Sequence, residues 1–236
     1  MSVTKNNTIK NIDRRSQTGR CFFTTDIHGH FDLLDDHLKE YKFNTSHDIL
    51  IIGGDLCDRG PCSDRVLEYL NEPWVYAIRG NHEEMVIGFI EALATEDNRE
   101  IRPYYINLAN NGGEWFLSLG NKKQLQIYES FKSLPIAIEL TTEKETIGIV
   151  HAEVPDWDWG LFKTMPQAEL DWYAGSVCQW GRTAYTRHTP VSAKGVDRVL
   201  VGHTPTKSGT IEILGNVWYC DIGAFFRNKL SFIQLN

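Results

Sequence analysis

The sequence predicts a mixed α/β fold: one domain, residues 19–236, holding two β-sheets with helices outside them, behind an N-terminal arm of residues 1–18. Three observations predict it. Through the first half, short apolar runs alternate with segments of helical period, a β-α-β-α-β-α order that favours a mostly parallel sheet with helices packed on it. After residue 133 the order changes to short strands with little helix between them. No linker rich in proline, glycine and serine separates the two regimes, so both sheets belong to one domain.

The elements follow in chain order. MSVTKNNTIKNIDRRSQTG is polar and basic with no apolar segment, which reads as a mobile arm and not as a secretory signal. RCFFTT (20–25) is a strand, and FDLLDDHLKEY (31–41) a helix with Leu33, Leu34, Leu38 and Tyr41 on one side. DILII (48–52) is a buried strand; SDRVLEYLNE (63–72) is a helix capped by Ser63 and stopped before Pro73. WVYAIRG (74–80) and HEEMVIGFIEALA (82–94) are the next strand and helix, and residues 98–133 are helical with a break at NNGGEWF. PIAIELTT, TIGIVH, RVLVGHT, GTIEIL, NVWYC and LSFIQL then read as short strands. Residues 152–196 interrupt them with a long, tryptophan-rich connection and one helix near 166–174. Such connections are often functional; the tryptophans of this one read first as packing residues, and the competing hypothesis, from the position just after His151, is that residues 152–180 cover a site, with Trp157 and Trp159 touching the substrate beyond its phosphate.

Composition narrows the function. Hydrophobic residues make up 42% and charged residues 23%, as in a domain with a sizeable core. A net charge of −7 argues against a basic surface that coats nucleic acid, and no apolar run approaches the ~20 residues of a membrane span. A small phosphorylated substrate remains compatible, because a local arginine cluster acts inside an acidic protein. The five cysteines form no C-x-x-C pair and read as reduced thiols in a cytoplasm. Six places after Cys57 and Cys178 stand Ser63 and Ala184, not the arginine that a cysteine-nucleophile phosphatase needs.

The chemistry gathers where apolar runs end. After CFFTT come Asp26 and His28; after ILIIGG come Asp55, Asp58 and Arg59; after VYAI come Arg79, Asn81 and His82. His151 follows IGIV and His203 follows VLVG. In sheets with helical crossovers the carboxyl ends of strands line the ligand crevice. Alone, Asp55 and Asp58 would read as turn caps and the histidines as satisfied core residues; the coincidence over five strand ends favours ligands. Carboxylate, amide and imidazole donors suit Mn²⁺, Fe or Zn²⁺, and guanidinium forks match phosphate oxygens.

DIHG (26–29), GDLCDRG (54–60) and RGNHE (79–83) together resemble the motifs of the PPP-type metallophosphoesterases, D-x-H, G-D-x-x-D-R-G and G-N-H-[DE]. The resemblance covers roughly residues 20–235 and is closest to the bacterial and bacteriophage-lambda-type serine/threonine protein phosphatases, with NGGEWF, HAE (151–153) and DIGAFF (221–226) also similar. It implies a calcineurin-like β-sandwich flanked by helices, with a dinuclear metal site at the strand ends. Asp26 and His28 would bind the first metal, Asp55 would bridge both, and Asn81, His151 and His203 would bind the second. His82 would protonate the leaving oxygen, oriented by Asp58, while Arg59, Arg79 and, on a looser match, Arg182 would hold phosphate. The implied activity is hydrolysis of phosphoserine and phosphothreonine in proteins, with phosphotyrosine a further substrate, by direct attack of a metal-bridging hydroxide. Mn²⁺ is the family-like metal, and the expected partner is a phosphoprotein or phosphopeptide, with no nucleic acid, no membrane and a monomeric state. A sister branch that hydrolyses dinucleoside tetraphosphates symmetrically carries the same motifs; the carboxylate of Asp58 favours the phosphatase branch.

Overall fold

The computed structural model describes residues 8–236, so the first part of the expected arm lies outside the described residues. Its second part is corrected: Ile9–Asp13 form a strand, β1. IKNID carries only two apolar residues, too few to signal a strand. A neighbour supplies what the sequence lacks, because β1 runs parallel to β5 (Ala137–Thr141) in a five-residue register that satisfies its backbone and buries Ile12.

The predicted β-α-β-α-β-α order is present as β2 (Cys21–Thr24), α1 (Phe31–Glu40), β3 (Ile49–Ile52), α2 (Val66–Leu70), β4 (Val75–Ala77) and α3 (Asn81–Leu93). Ser63 does not cap α2 as expected. It opens a 3₁₀ turn, Ser63–Arg65, and its hydroxyl has no hydrogen-bond partner among the described residues. Its hydroxyl faces Gly29, where a Cβ would lie 2.6 Å from Ser63 Oγ. Residues 98–133 form α4 (Asn98–Asn110), α5 (Glu114–Leu117) and α6 (Asn121–Ser133), broken at the predicted place.

Strands β6 (Thr146–Val150), β7 (Arg198–Val201), β8 (Glu212–Leu214) and β9 (Val217–Tyr219) follow, with β10 (Ile233–Gln234) last. The connection after β6 holds several short helices instead of one: a 3₁₀ turn Pro155–Trp157, α7 (Trp159–Thr164), α8 (Gln167–Glu169), a π-turn Leu170–Ala174, α9 (Gly175–Trp180) and α10 (Thr183–Thr186). A further short helix, α11 (Ala224–Arg227), precedes β10. For Trp159 the packing reading holds and the hypothesis of ligand contact is corrected. Its ring is fully buried with Phe162, Val199 and Val217, and its Nε1–H donates to Glu139 Oε2 at 2.6 Å. Trp157 packs, partly buried, against the same cluster.

The strands form two sheets, a four-stranded one in the order β10-β2-β3-β4 and a six-stranded one in the order β1-β5-β6-β7-β9-β8. Side chains along each strand alternate between layers. Phe22, Leu50 and Ile52 point to helices α1, α2, α3 and α6, while Phe23, Ile49 and Ile51 meet Ile138, Ile147, Ile149 and Leu200 of the other sheet. Val150, Val199 and Val201 face outward, under α7 and α9. This is a β-sandwich with helices outside both sheets, as predicted. Phe23 lies in the shared layer and is fully buried, so Phe23→Ala is expected to cost about 3–5 kcal/mol of unfolding free energy by chemical denaturation. A loss below ~1 kcal/mol would show that the two sheets do not depend on this layer.

Parallel pairing sets up the site. β2, β3 and β4 run parallel in one sheet, and β6, β7 and β9 in the other, so six carboxyl ends are brought to one edge of the sandwich. Within each sheet the loops leaving neighbouring strands bond to one another. Asp26 N–H donates to Gly54 O, and Gly202 N–H to His151 O.

Candidate metal and phosphate site

The site is built from short loops whose backbones are bent against ordinary preference. Asp26, His28, Asp55, Asp58, Arg59 and His203 all have positive φ, between 46° and 70°. Left-handed conformations of non-glycine residues cluster where the surrounding structure holds them for function. Two glycines show why the neighbours are small. A Cβ at Gly202 would lie 1.9 Å from Asp26 Oδ2, and one at Gly54, itself at φ +88°, would lie 2.8 Å from His151 Nδ1. Both positions let backbone pass against a ligand side chain.

Two buried groups can each hold a metal ion, and they share Asp55. One is His28, Asp55 and His82; the other is Asp55, His151 and His203, each with donor atoms within 4.8 Å of one another. Asp55 Oδ2 lies 3.7 Å from His28 Nε2 and 3.2 Å from His151 Nε2. Asn81 sits between the histidines of the second group, its Oδ1 2.9 Å from His151 Nε2 and 2.8 Å from His203 Nδ1. Asp26 turns its carboxylate to the His203 backbone N–H, which it accepts at 3.0 Å on both oxygens.

The donor set fits a pair of cations. Oxygen and imidazole nitrogen ligands are hard to borderline donors, and no thiolate competes. The Nε2 atoms of His82 and His203 are buried without a hydrogen-bond partner among the described residues. The carboxylates also crowd one another: burial raises Asp26 well above the usual carboxylate range, and the neighbouring Asp221 adds to it. Burial likewise lifts Asp221 to about 6, with Asp55 adding. A cation relieves this repulsion.

Imidazoles respond in opposite ways. Burial drives His28 down to about 3 and His203 down to about 2, with His151 and Arg182 adding to the fall at His203. Burial acts the same way on His151, but the Asp55 carboxylate outweighs it and lifts the ring to about 10. Burial works against an ionised Asp55, yet His151 and His82 hold it well below its ordinary value. Burial therefore favours the neutral imidazole at both His28 and His203.

His82, a member of the first group, forms a buried pair with Asp58. His82 Nδ1 is 2.7 Å from Asp58 Oδ2, and Trp115 Nε1–H donates to Asp58 Oδ1 at 2.6 Å. The carboxylate is thus clamped from two sides. The arginines are held differently. Arg59 Nη1 donates to His28 Nε2 at 2.9 Å, with its guanidinium 4.8 Å from the Phe225 ring. Arg79 pairs with Glu84 at 3.2 Å. Arg182 is exposed, with its charge felt at His203.

The structure brings all eleven predicted residues to this one edge: His28, Asp55, His151 and His203 fall in the two ligand groups, Asn81 and Asp26 bond to the second, and His82, predicted as an acid, also stands in the first. Sequence reading assigned no role to three others. Asp221 ends β9 by the same strand-end rule, and NVWYC followed by DIG carried the signal. Trp115 sits in NGGEWF, where no spacing pointed at Asp58. Glu83 is fully buried and accepts the N–H groups of Asp55, Leu56 and Gly80 at 2.8–2.9 Å. It ties the loop after β3 to the start of α3.

Residues 19–207 match a family described as calcineurin-like phosphoesterase. The chain is 32% identical over 213 residues to serine/threonine-protein phosphatase 2 of Escherichia coli (strain K12), covering 89% of this chain and 90% of that protein. It is also 30% identical over 145 residues to the symmetrical bis(5'-nucleosyl)-tetraphosphatase of Buchnera aphidicola subsp. Acyrthosiphon pisum, covering 60% of this chain but 47% of that protein. Among solved structures, a protein serine/threonine phosphatase from Saccharomyces cerevisiae shares the fold with a TM-score of 0.56 at 15% identity, over 90% of this chain and 70% of that one.

Proposed function

Because this chain belongs to the calcineurin-like phosphoesterase family, we propose that it is a metal-dependent phosphomonoesterase acting on phosphoserine and phosphothreonine in proteins. The observation that carries this reading is the buried His82–Asp58 pair, 2.7 Å apart, against the ligand group of His28 and Asp55. A seryl alkoxide is a poor leaving group, and a positioned proton donor beside the cations is what its departure requires. The whole-length likeness to a phosphatase, against a partial likeness to a tetraphosphatase, supports the same choice.

In this reading Asp26, His28 and Asp55 hold one divalent ion, and Asp55, Asn81, His151 and His203 hold the second. Mn²⁺ is the expected metal, with Fe or Zn²⁺ served by the same donors. Such a pair, when bound, acidifies water toward a pKa of roughly 7 and screens phosphoryl charge. Arg59, Arg79 and Arg182 offer forks that pair with phosphoryl oxygens. Asp58 accepts the Nδ1–H of His82, which leaves Nε2 as the nitrogen that hands a proton to the leaving oxygen. The partner is a phosphoprotein or phosphopeptide, and neither nucleic acid nor a membrane is required; the chain acts as a monomer. All five thiols are free, which supports a reducing cytoplasm.

The second reading is symmetrical hydrolysis of dinucleoside tetraphosphates, favoured by the partial likeness over 145 residues. One experiment separates the two. Metal-stripped protein is given Mn²⁺ and either a phosphoserine peptide or diadenosine tetraphosphate, and the products are measured. Phosphate release from the peptide, dependent on Mn²⁺, with the dinucleotide intact is the expected result. Conversion of the dinucleotide to two diphosphates, with the peptide untouched, would transfer the protein to the second reading.

A further inference from the structure

We propose that Glu153 is a positioning residue for phosphate binding: its buried carboxylate latches the Gly181–Ala184 turn and so fixes Arg182, two residues beyond Trp180, whose ring lies 6.2 Å from that of His203. The inference rests on the phosphoester-hydrolase reading but not on the choice between phosphoprotein and dinucleotide. Glu153 lies two residues beyond His151 and is 7% exposed. Its Oε1 accepts the Ala184 N–H at 2.7 Å. Gly181 lies flat against the same side chain, since a Cβ there would be 2.8 Å from Glu153 Cβ, Cγ and Oε2. Backbone bonds reinforce the junction: Ala152 N–H donates to Cys178 O at 2.6 Å and Glu153 N–H to Val177 O at 3.3 Å. The strand end that carries His151 is thus stitched to the arm that carries Arg182.

The plainest reading is that Glu153 merely caps a helix. Its details point further. The N-cap residue of α10 is Arg182 itself, and that side chain makes no cap bond. An arginine cannot accept from the helix N–H groups, so the acceptor arrives from 31 residues away in sequence. This leaves the N-cap side chain exposed and free of any cap bond. Arg182 also differs from the other two arginines. Arg59 is held by His28 and Phe225 and Arg79 by Glu84, whereas Arg182 makes no hydrogen bond or ion pair among the described residues. The turn is what orients it, and Glu153 is what holds the turn.

The test is a double-mutant cycle read with p-nitrophenyl phosphate as substrate and inorganic phosphate as competitor, on Mn²⁺-loaded protein, with melting temperature recorded for each variant. Because a misplacement of about 1 Å costs up to ~10²-fold, Glu153→Ala is expected to lower kcat/KM about tenfold and raise the phosphate Ki by a similar factor. Glu153→Gln, which keeps an acceptor oxygen, is expected to restore most of both. Glu153→Asp, which withdraws the carboxylate by one methylene, should fall between and keeps the test open if the alanine variant does not fold. In an Arg182→Ala background, Glu153→Ala is expected to leave kcat/KM and Ki unchanged while still lowering the melting temperature. Equal losses in both backgrounds, or an unchanged phosphate Ki in Glu153→Ala or Glu153→Asp, would overturn the proposal. Activity on the aryl phosphate without activity on phosphopeptides would sink the protein-phosphatase reading and leave this one standing.

Discussion

Asp55→Asn is expected to lower phosphate release by about 10²–10⁴-fold, the square of the 10–100-fold that loss of one outer partner costs a metal site. The square applies because Asp55 belongs to both ligand groups, 3.7 Å from His28 and 3.2 Å from His151. Asparagine keeps the shape and removes the negative charge that a pair of cations shares. Calorimetric titration with Mn²⁺ checks the cause as well as the loss. Two tight sites in the wild type should both weaken in Asp55→Asn, whereas His203→Ala should weaken one. A variant that keeps one tight site unchanged would show that Asp55 is not common to the two.

His82→Asn is expected to cost 10²–10⁴-fold with a phosphoserine peptide, the usual scale of general acid catalysis. With p-nitrophenyl phosphate, whose leaving group needs little protonation, the loss should stay within about tenfold. The contrast follows from geometry. Asp58 holds Nδ1 at 2.7 Å, while Nε2 is buried without a partner among the described residues. A uniform loss across leaving groups would assign His82 to binding and not to proton transfer. Trp115→Phe offers a milder companion, because it removes the 2.6 Å bond that steadies Asp58 and leaves the carboxylate in place.

Much of this site was legible before any coordinates. The apolar runs 49–52, 147–150 and 199–201 announce buried strands, and each is followed within a few residues by a predicted ligand. Such residues read well because their chemistry is unusual at the end of an apolar run and because the chain itself carries the strand. β1 did not read at all: IKNID has no period of its own and becomes a strand only because β5 offers it a ladder. Ser63 read wrongly for a related reason, since its hydroxyl is turned toward Gly29 and not to its own helix. For Trp159 composition points to packing while its place after His151 suggests ligand contact, and the outer face of the six-stranded sheet decides for packing.

The sequence by itself determined the alternation of strands and helices, the residues that end the strands and the family they belong to. Those depend on local period and on short motifs whose members lie a few residues apart. Only the tertiary structure decided which strand ends meet. Asp55 and His151 are 96 residues apart in number, yet lie 3.2 Å apart because β3 and β6 sit in different sheets whose carboxyl ends share an edge. It also decided the supports: Glu83 beneath the loop after β3, Trp115 on Asp58, and Glu153 under the turn of Arg182. These are long-range hydrogen bonds of ordinary side chains. No pattern marks them in the chain, because their meaning lies in the partner and not in the residue.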